Sequence, residues 1–293
     1  MNENKNMVNF LKYRWFYFLI SVLVIGSGII SVITWGYRLS IDFVGGTDLE
    51  YRMDRRVKES EVRQILKKEK IEVTDYRQQD RDIFIRTKPI DEKKEAGIRG
   101  NLEKSLKVKI TPLRFETVGP VIGKETLKKT LLASLIAIVG ILVYMTFAFK
   151  GFSYAFAAIL ALMHDFLVVI GMYSLMSHFL NAEIDILFVT ALLTTMSFSV
   201  HDTIIIFDKI REYIKHEGRG NIDHFANRAV TDTMVRSLNN SMTIIFMLLA
   251  LTLLGGSSIR FFVATLLIGT ITGTYSSPFV ATPILVWLEK RKG

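Results

Sequence analysis

No cysteine occurs among the 293 residues of this chain. Disulfides, thiolate metal sites and cysteine nucleophiles are thereby excluded, although the compartment is not. Histidine is scarce as well. The five present form no His-x-x-x-His pair, and the two His-Asp dipeptides, His164-Asp165 and His201-Asp202, fall in different apolar segments. A His-Asp metallohydrolase centre needs more ligands than that. A nucleotide loop is also missing: Gly119-Pro-Val-Ile-Gly-Lys-Glu125 is one residue short of a phosphate-binding loop and carries Glu where Ser or Thr would hold magnesium. The net charge of +9 comes with no RNA-binding motif and no aromatic-plus-basic platform. No metal, nucleotide or other cofactor is expected, and no nucleic-acid partner. Any work must draw on a membrane gradient or on another protein.

What the chain has is hydrophobic residues, half of the total, gathered into long blocks instead of alternating with polar ones. A bilayer core of ~30 Å requires about 20 helical residues. Six segments reach that length: roughly 16–36, 130–149, 155–175, 185–207, 237–256 and 261–288. The first lies within Trp15–Tyr37, which is too long for a signal-peptide core and is followed by no small-residue cleavage pattern, so it is expected to stay as a span. The last contains Pro278 and Pro283, which a membrane helix tolerates when neighbours satisfy the freed carbonyls.

Basic residues cluster on one side of these spans. Lys5, Lys12 and Arg14 precede the first, Lys150 joins the second to the third, and Lys209, Arg211, Lys215, Arg219, Arg228 and Arg236 lie between the fourth and fifth. Lys290, Arg291 and Lys292 follow the sixth, whereas the opposite side carries only Arg260 in its short loops. The excess of Lys and Arg on cytoplasmic loops then puts both termini in the cytoplasm of a multi-pass protein of the inner membrane. The expected organisation is a cytoplasmic tail over 1–15, a first span over 16–36, an extracytoplasmic domain over 37–129, five spans within 130–288 and a tail over 289–293.

The insert is charged and patterned as a folded domain. Strands are expected at 47–53, 71–76, 82–86 and 110–118, and helices at 59–69 and 91–106, where Val62, Ile65 and Leu66 share one side of the first. The order βαββαβ is that of the ferredoxin-like arrangement. The fold class is therefore an α-helical polytopic membrane protein with six transmembrane helices and one α+β ferredoxin-like extracytoplasmic domain.

Three features inside the spans carry chemistry. Between Ile186 and Phe207 the only titratable side chains are His201 and Asp202. A charge within a span costs about 3 kcal/mol at the centre, which makes Asp202 a functional candidate. It reads either as a carboxyl that binds and releases a proton or as a structural contact, with Thr195 and Ser199 on the same helical face as a water path or interhelical glue. Arg236 stands at the start of the fifth span, at a depth where an adjacent antiparallel helix would bring it to Asp202; it reads either as the partner of that acid or as a snorkelling anchor. His164-Asp165 sits mid-span, where a second buried acid needs a partner or water, and is a relay member or a packing contact. Two glycine pairs read as packing devices: Gly45-Gly46, at a sharp turn after the first span, and Gly269 with Gly273, about one turn apart in the sixth.

Several segments, taken in order, resemble the SecF subunits of the SecDF protein-export complex, in the resistance-nodulation-division superfamily. They are Ile41-Asp-Phe-Val-Gly-Gly-Thr47 with Asp42, Gly45 and Gly46; Val118-Gly-Pro-Val-Ile-Gly-Lys-Glu125 with Gly119, Pro120 and Gly123; Leu162-Met-His-Asp165; Ser199-Val-His-Asp-Thr-Ile-Ile-Ile-Phe-Asp-Lys-Ile-Arg-Glu212; and Gly269 to Ser277. The resemblance implies a non-enzymatic subunit that acts with SecD and the SecYEG channel, in company with SecA and YajC-like subunits. It implies use of the proton-motive force, or of sodium in some members, to draw a translocating polypeptide outward. Asp202 matches the intramembrane acid of that family and Arg236 its nearby base. His201 stands where the family usually has Asn, and Asn240 where Thr is more usual, which leaves open whether His201 joins the relay. Two rivals remain: half of a proton-coupled small-molecule or lipid exporter of the same superfamily, for which the insert is small, and an intramembrane hydrolase built on the His-Asp dipeptides.

Overall fold

The computed structural model describes residues 8–149, 151–218 and 220–291, the side chain of Ser257 excepted. Lys5, Lys150, Arg219 and Lys292, four of the charges used to orient the spans, lie outside the described residues. Residues 39–132 form one compact unit and the remaining described residues another.

The smaller unit opens with a single helical turn, α2 (Ile41–Val44), capped by Ser40, whose side chain accepts from the Asp42 amide at 3.2 Å. Gly45 and Gly46 follow with φ of 76° and 136°, in the left-handed region that side chains avoid. Their lack of a side chain has a second use. A Cβ on Gly45 would lie 2.6 Å from the Pro120 Cα, and one on Gly123 would lie 2.8 Å from the Gly45 nitrogen. The motif pieces around Gly45 and Gly119–Gly123, far apart in sequence, are thus two sides of one backbone crossing.

From there the chain runs β1 (Gly46–Met53), α3 (Glu59–Lys68), β2 (Val73–Gln79), β3 (Asp82–Thr87), α4 (Glu92–Leu106) and β4 (Ile110–Val118). The sheet order is β2-β3-β1-β4, with each neighbouring pair antiparallel. Alternation builds the core. Leu49, Tyr51 and Met53 of β1 and Ile83 and Ile85 of β3 point to one face, where they meet Val62 and Leu66 of α3 and Ile98, Leu102 and Leu106 of α4. Burying each such aliphatic side chain contributes about 1.5–3 kcal/mol. The other face carries cross-strand ion pairs, Asp48 with Arg86 and Arg52 with Asp82, at 2.7–2.8 Å. Asp91 caps α4 by accepting from the Lys94 amide at 2.8 Å, so the helix begins one residue later than the pattern suggests.

The larger unit is helical: α1 (Arg14–Trp35), most of α5 (Pro120–Ala148), α6 (Phe152–Leu180), α7 (Ile186–Glu217), α8 (Ile222–Leu254), α9 (Ser257–Ser276) and α10 (Thr282–Lys290). Six of the described helical stretches are long and apolar enough to cross a membrane. The helices outrun the expected spans: α5 starts at Pro120, α7 continues to Glu217 and α8 begins at Ile222. The charged flanks are good helix formers, so the helix does not stop where the apolar block does. Asp185 and Asn221 cap α7 and α8 through the amides of Phe188 and Asp223. Between α9 and α10 the backbone passes through a π-helical turn, Ser277–Ala281. Pro278 lies within it and Pro283 just beyond, each lacking an amide donor, and the Thr282 amide reaches back five residues to the Ser277 carbonyl.

Candidate functional site

Asp165 lies at the centre of a buried polar cluster built from four helices. It is 4 % exposed, and its Oδ2 accepts from Ser199 of α7 and, at 2.7 Å, from Ser276 of α9. Its Oδ1 is 2.8 Å from His164 Nδ1, and His164 Nε2 is 2.9 Å from Ser21 Oγ of α1. The mid-span acid thus has the partners its cost demands, all of them neutral hydroxyls apart from the imidazole beside it.

Glycine makes this convergence possible. A Cβ on Gly269 would sit 2.2 Å from Thr195 Cγ2, and one on Gly273 3.0 Å from Ser199 Cβ. The two glycines read as packing devices therefore bring α9 against the Thr195–Ser199 face of α7, the face that also holds Asp202. The π-turn lies beside it, where Ser277 Oγ pairs with Thr203 Oγ1 at 2.9 Å.

Asp202 is 2 % exposed, one helical turn beyond Ser199. Ser237 of α8 donates to its Oδ2 at 2.6 Å. The depth expected for Arg236 is therefore right, but the face is not: Arg236 is exposed, and the residue meeting Asp202 is its neighbour. Successive helical side chains point about 100° apart, so Ser237 and Arg236 cannot both face α7. His201 is likewise exposed, turned about 100° round α7 from the buried acid beside it. The five relay candidates thus divide into a buried set of Asp202, Asp165 and His164 and an exposed pair of Arg236 and His201. Ser21, Ser237 and Ser276 escaped sequence reasoning: Ser21 is a lone hydroxyl in an apolar run, and Ser237 and Ser276 are each one of several polar residues in their stretch, with nothing local to single them out.

The family model described as "Protein export membrane protein SecD/SecF, C-terminal" matches residues 99–291. The chain belongs to the SecD/SecF protein-export family. Its curated relatives include the protein translocase subunit SecF of Thermobaculum terrenum, 38% identical over 97% of this chain and 95% of the relative. The subunit of the same name from Anaerolinea thermophila is 36% identical over 97% and 94%. Among solved structures, SecDF of Thermus thermophilus, titled a translocon-associated membrane protein, matches with a TM-score of 0.84 and 31% identity over 99% of this chain. SecDF in a super-membrane-facing form matches with a TM-score of 0.70 and 30% identity over the full length. The chain spans 40% of the length of each of these SecDF chains. Membership in this family and the six apolar helices make it a multi-pass membrane protein.

Proposed function

We propose that this chain is the SecF-type subunit of a Sec translocase auxiliary complex, which uses the proton-motive force or a sodium gradient to promote polypeptide export across the cytoplasmic membrane. The observation that carries the reading is Asp202, a carboxyl buried among spanning helices with a single hydroxyl donor, on the α7 face that also reaches Asp165. A proton crossing 100 mV carries ~2.3 kcal/mol, enough to shift the balance between two helix packings. Asp202 is the primary ion-responsive acid, and Asp165 with His164 forms a second station on α6, reached through Ser199, which lies one helical turn before Asp202 and donates to Asp165.

The partner is SecD-like. Arg236, Asn239, Asn240 and His201 are exposed although they lie in spanning helices. A polar stripe of this kind left against lipid would cost several kcal/mol, with ~3 kcal/mol for an Arg at the helix centre alone. A second set of spans, supplied by the SecD-like partner, covers it. In this reading both termini are cytoplasmic, and residues 37–129 form a ferredoxin-like extracytoplasmic domain that moves with the helices and acts on polypeptide leaving the SecYEG channel. SecA and YajC-like subunits complete the assembly. Asp42, Gly45, Gly46, Gly119, Pro120 and Gly123 serve as the packed hinge at the base of that domain, and Gly269 and Gly273 as the α7–α9 contact.

The test is Asp202→Asn in membrane vesicles under an imposed proton gradient, repeated with sodium. Export of a secreted precursor should lose its dependence on one of the two gradients. Full retention of both dependences removes Asp202 from the relay.

A further inference from the structure

The hydrogen-bond chain around Asp165 continues past the acid into α1. His164 Nε2 meets Ser21 Oγ at 2.9 Å. Ser21 also meets the hydroxyl of Tyr275, which itself donates to the Tyr17 carbonyl at 2.8 Å. The groups facing the His164–Asp165 pair are thus Ser21 and the Tyr17 carbonyl of α1, Ser199 of α7, and Ser276 and Tyr275 of α9. Ser21 has one hydroxyl proton and two acceptors for it, the imidazole and the tyrosine oxygen.

We propose that Ser21 is a positioning residue that reads the charge of Asp165 for α1, through the tautomer of His164. The inference rests on the ion-coupled reading above. A neutral imidazole has one N–H and one lone pair. When Asp165 is ionised, its Oδ1 takes the N–H of Nδ1, so Nε2 is a lone pair and Ser21 donates to it. When one proton enters the chain at Nε2, the Nδ1 proton passes to Oδ1 and the imidazole ends neutral in its other form. Nε2–H then donates to Ser21, whose own proton turns to Tyr275. One proton has been added, and the polarity of every link from Asp165 to α1 has reversed.

The helix that feels the reversal is held to α6 along its length. A Cβ on Gly28 would lie 2.7 Å from the Gly171 Cα. Ser31 donates to Ser174 at 2.8 Å, Ser174 to the Gly36 carbonyl at 2.9 Å, and Tyr37 to the Ile170 carbonyl at 3.0 Å. A change at Ser21 therefore acts on an α1–α6 pair, and α1 is the helix that the chain continues into the smaller unit.

The tautomer is directly measurable by nitrogen NMR of histidine-labelled full-length protein in bilayers, with His164 assigned by its loss in His164→Gln. The expected result is Nδ1–H at alkaline pH and neutral Nε2–H on acidification. In Ser21→Ala the transition should be displaced and gradient-stimulated export should fall several-fold, with both restored by Ser21→Thr. A single tautomer throughout, an imidazolium on acidification, or an unmoved transition in Ser21→Ala overturns the inference. Asp202→Asn separates the two claims: it should abolish gradient dependence while leaving the His164 transition in place. Loss of coupling without any transition refutes the Ser21 role alone, and a transition with coupling intact refutes the Asp202 role alone.

Discussion

Ser237 donates to Asp202 across the α7–α8 contact at 2.6 Å, while Arg236, one residue earlier, is turned out to the surface. A buried carboxyl with one donor is sensitive to that donor, because a lost hydrogen bond to a charged group costs about 1.5–3 kcal/mol. Ser237→Ala should therefore reduce gradient-stimulated export by roughly ten-fold or more, and Ser237→Thr should restore most of it. Assays on vesicles with matched amounts of each variant decide the point; wild-type coupling in Ser237→Ala would mean that the contact is mere packing.

The exposed position of Arg236 leads to a separate expectation. If its guanidinium serves the partner-facing surface, Arg236→Met should impair export as severely as Asp202→Asn and, unlike that variant, should weaken copurification of the SecD-type subunit. Copurification at wild-type level, with export also intact, would reduce Arg236 to an interfacial anchor.

Much of this arrangement was legible in the residues because hydropathy and period are local properties. The six spans, the βαββαβ order and the buried position of Asp202 all follow from runs and alternation read along one segment at a time. The strand at 110–118 coincides with its observed bounds, and α4 misses by only its capping residue. Side-chain pairing across helices is not local. Arg236 was placed opposite Asp202 by depth, and depth is set by the sequence, but the azimuth that selects Ser237 is set by how α8 rolls against α7. Ser21 and Ser276 could not be joined to Asp165 for the same reason, since nothing along one segment says which neighbour a serine's hydroxyl meets. The π-turn is intermediate: its two prolines are visible, but the five-residue back-bond of Thr282 is a tertiary outcome.

The α7–α9 contact should be intolerant of even one methyl group. At Gly269 an added Cβ would meet Thr195 Cβ at 2.3 Å and Cγ2 at 2.2 Å, with no flexible side-chain end to give way. Gly269→Ala should destabilise the folded protein by about 1–3 kcal/mol, typical of overpacking, and draw Ser199 away from Asp165. Thermal unfolding in detergent reads the first effect and loss of coupled export the second. Thr195→Gly should rescue Gly269→Ala more fully than Thr195→Ala does, because Thr195 Oγ1 would also lie at 2.8 Å and only the former removes the clashing Cβ along with Cγ2 and Oγ1. Equal rescue, or no destabilisation at all, would place the helices farther apart than they are here.

The smaller unit should unfold in alkali through two buried tyrosines. Tyr51 lies in the core and donates to the buried Glu95 at 2.8 Å; burial first, and that hydrogen bond second, push its hydroxyl well above the usual tyrosine range. Burial, with the nearby Glu59 charge, pushes Tyr76 up to about 12. For a group whose folded pKa is raised, the folded state favours the protonated form. That stability is complete below the ordinary tyrosine value of 10.0 and is lost progressively as pH rises toward about 12 and beyond. The protection of the β1 and β3 amides in the full-length protein, taken relative to the base-catalysed rate of an unfolded amide at each pH, should thus be flat from neutrality to about pH 10 and should fall above it, together with the rise in tyrosinate absorbance. Tyr51→Phe should weaken the domain at neutral pH, by about 1–3 kcal/mol for a buried Glu95 left without that donor, and should make the alkaline loss shallower. Protection that is lost before tyrosinate appears would assign the alkaline transition to some other group.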